Sequence, residues 1–470
     1  MKKALVSLVL VIVMMLNMVA LTGCADILKS LLGSDDNGDK IVITFSHTMG
    51  ENLKTVLDDY IEVFQELYPN IVVENTKIGG YDDVRDQIKD EITAGLQPNI
   101  AYCYPDHVAL YNDAMAVLTL DEFIESEKVI TRADGTTEIL GLTQAQIDDF
   151  IPGYYTEGMQ FGDGSKMYTM PFSKSTEVLY YNKTFFEKHN ISVPTTWDEM
   201  EAVCAKIKEI EPKSIPLGYD SEANWFITMT EQLGTPYTAA EGEHFLFDTA
   251  ENREFCEKFR GWFIKGYVTT QDIYGNYTSG LFKSTDVTKS YMSIGSSAGA
   301  THQRPAKDDN TGKYPFEVGI APIPQVDPKN PKVISQGPSV CIFDGFTDEQ
   351  EEASWLLVKF LTTSVEFQAE FSMASGYVPV IKSAANYPDY ADFLAKANGG
   401  DYVAALSAKV CLEQADAYYT SPAFVGSSDA RDEVGALLQK CLLLDAKVAD
   451  PAAEIKKLFE AAVRACQYKQ

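Results

Sequence analysis

Histidine, basic residues and paired cysteines are all scarce in this chain. Five histidines occur among 470 residues, and 39 basic residues stand against 68 acidic ones, a formal net charge of −29. Such a surface repels phosphate backbones, which argues against a nucleic-acid partner and against binding to anionic lipid by charge alone. The eight cysteines include no C-x-x-C. Cys24 closes an N-terminal apolar run, while Cys103, Cys204, Cys256, Cys341, Cys411, Cys441 and Cys466 are scattered and odd in number. A disulfide framework or a zinc site therefore has little support. Most of them lie in apolar runs such as Ala101-Tyr-Cys103-Tyr and read as small buried hydrophobes. The acidic loop 307–312 lacks the EF-hand spacing, so calcium is not indicated, and no metal or cofactor is expected. Beyond the N-terminus no apolar run is long enough to span a bilayer.

The N-terminal run is informative. Lys2 and Lys3 precede the apolar stretch Ala4 to Leu16, and Leu21-Thr-Gly-Cys24 follows. A charged start, an apolar centre and small residues before the cut describe a secretory signal. A cysteine directly after Leu-Thr-Gly resembles the bacterial lipobox, which implies a diacylated thiol and cleavage that leaves Cys24 first. The rival reading is an uncleaved membrane helix, since Ala4 to Gly23 is nearly long enough to span. The expected organisation is a lipoprotein signal peptide at 1–23 and a lipid anchor with a flexible linker at 24–39. The linker is rich in Gly, Ser, Asp and Asn. Removing 1–23 leaves 37 basic and 68 acidic residues, a net of −31.

The remaining body of about 430 residues exceeds one usual core and predicts two domains. Strand-like runs at 41–46, 71–74 and 99–104 alternate with helical periodicity, as in Leu53, Val56, Leu57, Tyr60, Ile61 and Phe64. That alternation predicts a parallel sheet flanked by helices. In open sheets of this kind ligands bind beyond the carboxyl ends of the strands. The residues there are Ser46-His47-Thr-Met49, Gly79-Gly80-Tyr81 and Tyr104-Pro-Asp106. Further on, Met170-Pro-Phe-Ser-Lys-Ser175-Thr-Glu-Val-Leu-Tyr-Tyr181 reads as a polar segment leading into a strand. Thr196-Trp-Asp-Glu199 and Thr347-Asp-Glu-Gln350 spell capping boxes that open helices. Gly295-Ser-Ser297-Ala-Gly299 matches the G-x-S-x-G elbow of hydrolases. The only histidine after Ser297 is His302, five residues on, which argues against a triad. A strand running into small polar residues at a helix start also offers amides and hydroxyls to a ligand.

Taken together, the 170–199 segment and the strand-end motifs resemble the extracellular solute-binding proteins of ABC importers, in the branch that binds sugars and glycerol phosphates. The resemblance covers nearly all of 40–470. It implies an α/β, two-lobe periplasmic-binding-protein-like fold of type II, each lobe a mostly parallel sheet flanked by helices and joined by a hinge. Lobe 1 is expected at 40–165 plus about 295–345, and lobe 2 at 166–294 plus about 346–470. The implied cleft residues are His47, Tyr81 and Asp106 from the first lobe, then Ser175 and Trp225. Ser296, Ser297 and Gly337 come from the return segment. Tyr377 of Gly376-Tyr-Val-Pro379 comes from the family's Gly-Tyr-x-Pro signature. For Trp225 core packing stands as an equal alternative. Glycerol-phosphate binders of the family carry an Arg after a Pro-x-x motif. Phe424 of Pro422-Ala-Phe424 falls where that Arg is expected, which favours a neutral mono- or oligosaccharide. The implied partners are a sugar, the transmembrane subunits of an ABC permease, and the membrane through lipidated Cys24. The molecule itself is expected to be a monomer on the outer face of the cell membrane, not an enzyme. A glycerophosphodiester-binding protein is the alternative within the family. A secreted glycosidase using two of Asp106, Glu157 and Glu177 is the alternative from another class. A purely structural surface lipoprotein is disfavoured by the polar and aromatic residues gathered at strand ends.

Overall fold

The computed structural model describes residues 40–161, 164–398 and 403–469. Cys24, the signal segment and the linker lie outside the described residues. Two sheets organise the rest. In the first, the strands run in the order Ile71–Lys77, Ile41–His47, Ile100–Cys103, Ser339–Ile342 and Met170–Pro171. The first three are parallel to one another, and Ser339–Ile342 returns antiparallel between its neighbours. Helices Glu51–Leu67 and Tyr81–Ala94 make the crossovers that parallel strands need. Leu57, Ile61 and Phe64 of the first helix pack with Ile43, Phe45 and Ile100 on one face. Val84 and Ile88 of the second cover Ala101, Cys103 and Cys341 on the other. Gly95 ends that helix at φ +67°, the left-handed conformation that the sequence position requires.

The second sheet is centred on Ser175–Asn182. That strand runs antiparallel to Met292–Ser296 on one side and to Val318–Pro322 and Val333–Gln336 on the other. Leu217–Tyr219 and Val268–Thr270 extend the sheet in parallel beyond Met292–Ser296. Successive residues of a strand point to opposite faces. Accordingly Val178 and Tyr180 join the core that continues from the first lobe, while Leu179 joins the core of the second. The predicted capping boxes form: Thr196 and Thr347 each accept the amide three residues on, and Glu199 and Gln350 reach back.

The return segment divides differently from the expectation for 295–345 and 346–470. Met292–Ser296, Val318–Pro322 and Val333–Gln336 belong to the second sheet, and Ser339–Ile342 alone joins the first. Trp355, Leu356 and Phe367, on helices Asp348–Thr363 and Val365–Ser375, pack with Ile43, Phe45 and Phe64 of the first lobe. Helices Ser427–Leu442 and Pro451–Lys469 return to the second, through Leu438, Ile455 and Phe459. The break falls at Gln336-Gly337-Pro338, where the chain leaves one sheet for the other. Gly337 holds φ +95°, and a Cβ there would lie 2.3 Å from the Ser173 carbonyl oxygen. Only glycine combines that backbone with so close an approach. Phe172 to Ser175 crosses beside it, with the amides of Phe172 and Ser173 donating to the Pro338 carbonyl. Lys174 pairs with Val378 through both backbone bonds, so three segments meet at the crossing.

Candidate functional site

Two chambers open beside this crossing. The first, of ≈ 270 Å³, draws its walls from both lobes. Gly80 is the N-cap of helix Tyr81–Ala94, so Tyr81, Asp82 and Arg85 fall on its first turns facing the cleft. Pro105 occupies the first position of helix Pro105–Asp113, where its missing N–H costs nothing, and brings Tyr104 and Asp106 to the same wall. The opposite wall comes from Ser335, Gln336 and Tyr237, and from Ser428, Arg431 and Asp432 at the start of helix Ser427–Leu442.

Asp106 joins the two walls. Its Oδ2 accepts from Ser428 Oγ at 2.8 Å and its Oδ1 accepts from the His107 amide at 3.1 Å. Burial works against its charge, but His107, the Ser428 hydroxyl and Arg431 together hold the carboxyl below the usual carboxylate range. The Tyr81 and Tyr104 rings lie 4.7 Å apart, and the Tyr81 hydroxyl is 3.2 Å from that of Tyr377. Burial pushes all three phenols up, so they are neutral hydrogen-bonding groups.

The second chamber, of ≈ 700 Å³, is built from segments of the second lobe. Glu177, Asp220, Asn224, Tyr277 and Ser296 line it, and it shares Gln336 and Arg431 with the first. Arg431 donates to Asn224 Oδ1. Asn224 Nδ2 donates in turn to Glu177 at 3.0 Å, and the Tyr219 hydroxyl donates to the other Glu177 oxygen at 2.6 Å. Burial pushes the Glu177 carboxyl up to about 7, against the pull of Tyr219, Asn224 and Arg431. Behind both chambers, buried Lys174 pairs with Glu157 and donates to the Gly337 carbonyl at 3.2 Å and to Ser339 Oγ at 3.1 Å.

Of the sequence-predicted residues, Tyr81, Asp106 and Ser296 line these chambers. Tyr377 stands behind Tyr81, and Ser175 is 3.5 Å from the Ser296 hydroxyl. Gly337 shapes the crossing beside Gln336. The other four are placed elsewhere, as corrections to the expected set. His47 is fully buried, with Nε2 3.1 Å from Asn75 Oδ1 and Nδ1 accepting from the Met49 amide, a satisfied loop histidine. Trp225 is fully buried, stacked on Tyr219 at 4.8 Å and packed on Phe259 at 4.2 Å. Ser297 is buried and its Oγ accepts the Thr176 amide, so it is not the exposed nucleophile of an elbow. Phe424 is buried in the second core, stacked 4.6 Å from His244. It does not line the chambers; Arg431, seven positions on, lines both. The carboxylates of the glycosidase alternative are engaged, Glu157 by Lys174 and Glu177 by Tyr219 and Asn224. Arg431, Asn224, Gln336 and Tyr237 were not among the expected cleft residues. The spacing of Ser427, Ser428, Arg431 and Asp432 on one helix face was the signal for the first of them.

The family model of the bacterial extracellular solute-binding proteins matches residues 59–397. The chain belongs to this family. Solute-binding proteins of Brucella melitensis and Pyrococcus abyssi are similar to it. The first, an sn-glycerol-3-phosphate-binding periplasmic protein, is 24% identical over 62% of this chain and 68% of its own. The second, a maltotriose-binding protein, is 22% identical over 74% and 68%. Among solved structures, the sugar-binding protein MalE of Xanthomonas citri superposes with a TM-score of 0.70 at 16% identity, over 91% of this chain and 98% of its own. UgpB of Mycobacterium tuberculosis in complex with glycerophosphocholine gives 0.69 at 18%, over 92% and 99%. These likenesses show the type II two-lobe fold. The solute-binding family acts outside the cytoplasm, and no helix among the described residues is long and apolar enough to cross a membrane.

Proposed function

We propose that this protein is the substrate-binding lipoprotein of an ABC importer and that its ligand is a neutral carbohydrate held between the lobes. The observation that carries the ligand class is the first chamber. Tyr81, Tyr104 and Tyr237 supply flat apolar walls, and Asp106 and Arg431 supply an acceptor and a donor for vicinal hydroxyls. Cleft charge favours a neutral solute. Arg431 is near enough to Asp106 to lower its pKa, so the cation is already offset. Asp82, Asp106 and Asp432 outnumber Arg85 and Arg431 along the first chamber. A doubly charged phosphate meets more repulsion than attraction there. The glycerophosphodiester reading draws its support from Arg431, which supplies the guanidinium that phosphate recognition uses.

Calorimetry against a panel of mono- and oligosaccharides, glycerol 3-phosphate and glycerophosphocholine tests the reading. Saturable binding of a sugar is expected, with little change between 50 and 500 mM salt. Tight binding that depends on the phosphate, with no sugar bound, overturns it. The anchor belongs to the same reading: Cys24→Ala is expected to release the protein from the membrane fraction. A variant that stays membrane-bound, with a wild type that carries no acyl mass, overturns the lipoprotein assignment.

A further inference from the structure

Glu177 is a buried carboxylate at the wall of the second chamber. Both of its oxygens are engaged from within the lobe, one by the Tyr219 hydroxyl and one by Asn224. Asn224 is itself buried and stands between Glu177 and Arg431. Its Oδ1 accepts from the guanidinium and its Nδ2 donates to the carboxylate. A guanidinium can only donate and an ionised carboxylate can only accept, so one orientation of the amide serves both. The backbone fixes this link. Asn224 lies on the first turn of helix Glu222–Leu233, where its own amide is capped by Ser221 Oγ at 3.1 Å. Helix Ser427–Leu442 approaches closely there: a Cβ at Gly435 would lie 3.3 Å from Ala223 Cβ. Arg431, one turn before Gly435, is thereby brought against Asn224. The other groups around Glu177 are Asp220, at the end of Leu217–Tyr219, Tyr419, and Ser296, opposite it in register on Met292–Ser296. Lys283 and His302 line the same chamber, and Arg431 is the cation that favours the charged form of Glu177.

We propose that Glu177 is a positioning residue for Arg431: acting through Asn224, its carboxylate holds the guanidinium in the orientation that captures solute. This rests on Arg431 being a donor to the solute, as in the carbohydrate reading of the site. Protonation of Glu177 ends the arrangement. A protonated carboxyl donates at one oxygen, so the Asn224 amide is no longer held one way round, and the negative end of the chain is lost. Burial has brought this carboxyl up to about 7, so the ionised form is lost as pH falls through that value. Solute affinity is therefore full above about pH 7 and declines below it. Linkage is reciprocal, so a solute that uses Arg431 favours the ionised form of Glu177, and binding near neutral pH releases protons.

The test uses the mature protein with maltotriose and glycerophosphocholine as probes, and calorimetry between pH 5.5 and pH 8.5. For the probe that binds, affinity is expected to fall about tenfold from the upper to the lower end, as for one lost bond to a charged group. Proton release at pH 7 is expected as a heat that depends on the buffer. Glu177→Gln is expected to bind throughout the range as wild type does at pH 5.5. In an Arg431→Ala background the same substitution is expected to change affinity by less than about twofold, since its effect passes through Arg431. A readout without ligand keeps the positioning separate from the carbohydrate reading. It is the rotation of the Arg431 guanidinium about Nε–Cζ, followed by nitrogen NMR and assigned by loss of the resonance in Arg431→Lys. Rotation is expected to be slow in wild type at pH 8, faster at pH 5.5, and fast at both in Asn224→Ala. Glu177→Gln lowering affinity equally with and without Arg431 overturns the inference, and so does a guanidinium that rotates alike in wild type and Asn224→Ala. If glycerophosphocholine alone binds, with the same dependence on Glu177, the carbohydrate reading falls and the positioning stands. If neither probe binds, or Arg431→Ala leaves no binding to compare, the rotation of the guanidinium decides.

Discussion

Trp225 sits among Tyr219, Trp197 and Phe259 in the core of the second lobe. Truncating it leaves a cavity, and Trp225→Ala should cost about 3–5 kcal/mol of stability. Denaturant titration checks the cost, and calorimetry on the folded fraction should show ligand affinity within about twofold of wild type. Successive helix residues differ by about 100° in direction. Asn224 faces the second chamber, so its neighbour Trp225 faces away, into the core. Of the two readings held equally for Trp225, core packing is the one the structure supports. Asp106 and Tyr81 were legible because strand-end position fixes them. Arg431 was not legible because Phe424 precedes the helix that begins at Ser427, and only the helix carries Arg431 to the chambers. Glu177 offers a second residue-scale check. Its carboxyl titrates near 7 in the folded protein, above its ordinary value of 4.5. Its contribution to stability is therefore complete below the ordinary value and is lost as pH rises through about 7. The full swing is about 3 kcal/mol. Glu177→Gln should flatten the fall in unfolding free energy between pH 5 and pH 8, measured by urea denaturation.

The elements were more legible than the site. Parallel strands joined by helices, the capping boxes at Thr196 and Thr347, and the glycine end at Gly95 follow from local periodicity and side-chain chemistry, and all three form. The return of the chain between the sheets was not legible, because strand partners are chosen by non-local packing. Ser339–Ile342 and Val333–Gln336 are both short strands on either side of Gly337, yet they join different sheets. What separates them is the crossing itself, and its two fixtures can be tested. Gly337→Ala forces a side chain at φ +95° against the Ser173 carbonyl. A cost of at least about 1–3 kcal/mol is expected from the backbone conformation alone. Lys174→Met leaves Glu157 buried without its ammonium partner. Breaking a buried pair from one side costs about 3–5 kcal/mol. Lys174→Met paired with Glu157→Leu should recover much of that loss in the same denaturation experiment, since no uncompensated charge then remains.

At the scale of the whole molecule, ligand affinity includes the balance between open and closed lobes. A ligand binds more weakly in proportion to the fraction of molecules not ready to hold it. The hydrogen bond from Ser428 to Asp106 spans the two walls, and Gln160 likewise donates across to Thr420. Such bonds exist only when the lobes meet, so they bias closure even when no ligand is bound. Removing the Ser428 hydroxyl takes away one bond to a charged acceptor, a contribution of about 1.5–3 kcal/mol. Ser428→Ala should therefore weaken ligand binding by roughly tenfold to a hundredfold. The unliganded molecule should scatter with a larger radius of gyration, while the liganded one keeps the wild-type radius. The loss should appear mainly as faster ligand release, because the closed state is what retains the solute. Ser428 also lines the first chamber, so a direct ligand contact is the competing account. The radius of the unliganded protein separates the two. A direct contact leaves it at the wild-type value, and that result would remove the bond from the closing mechanism.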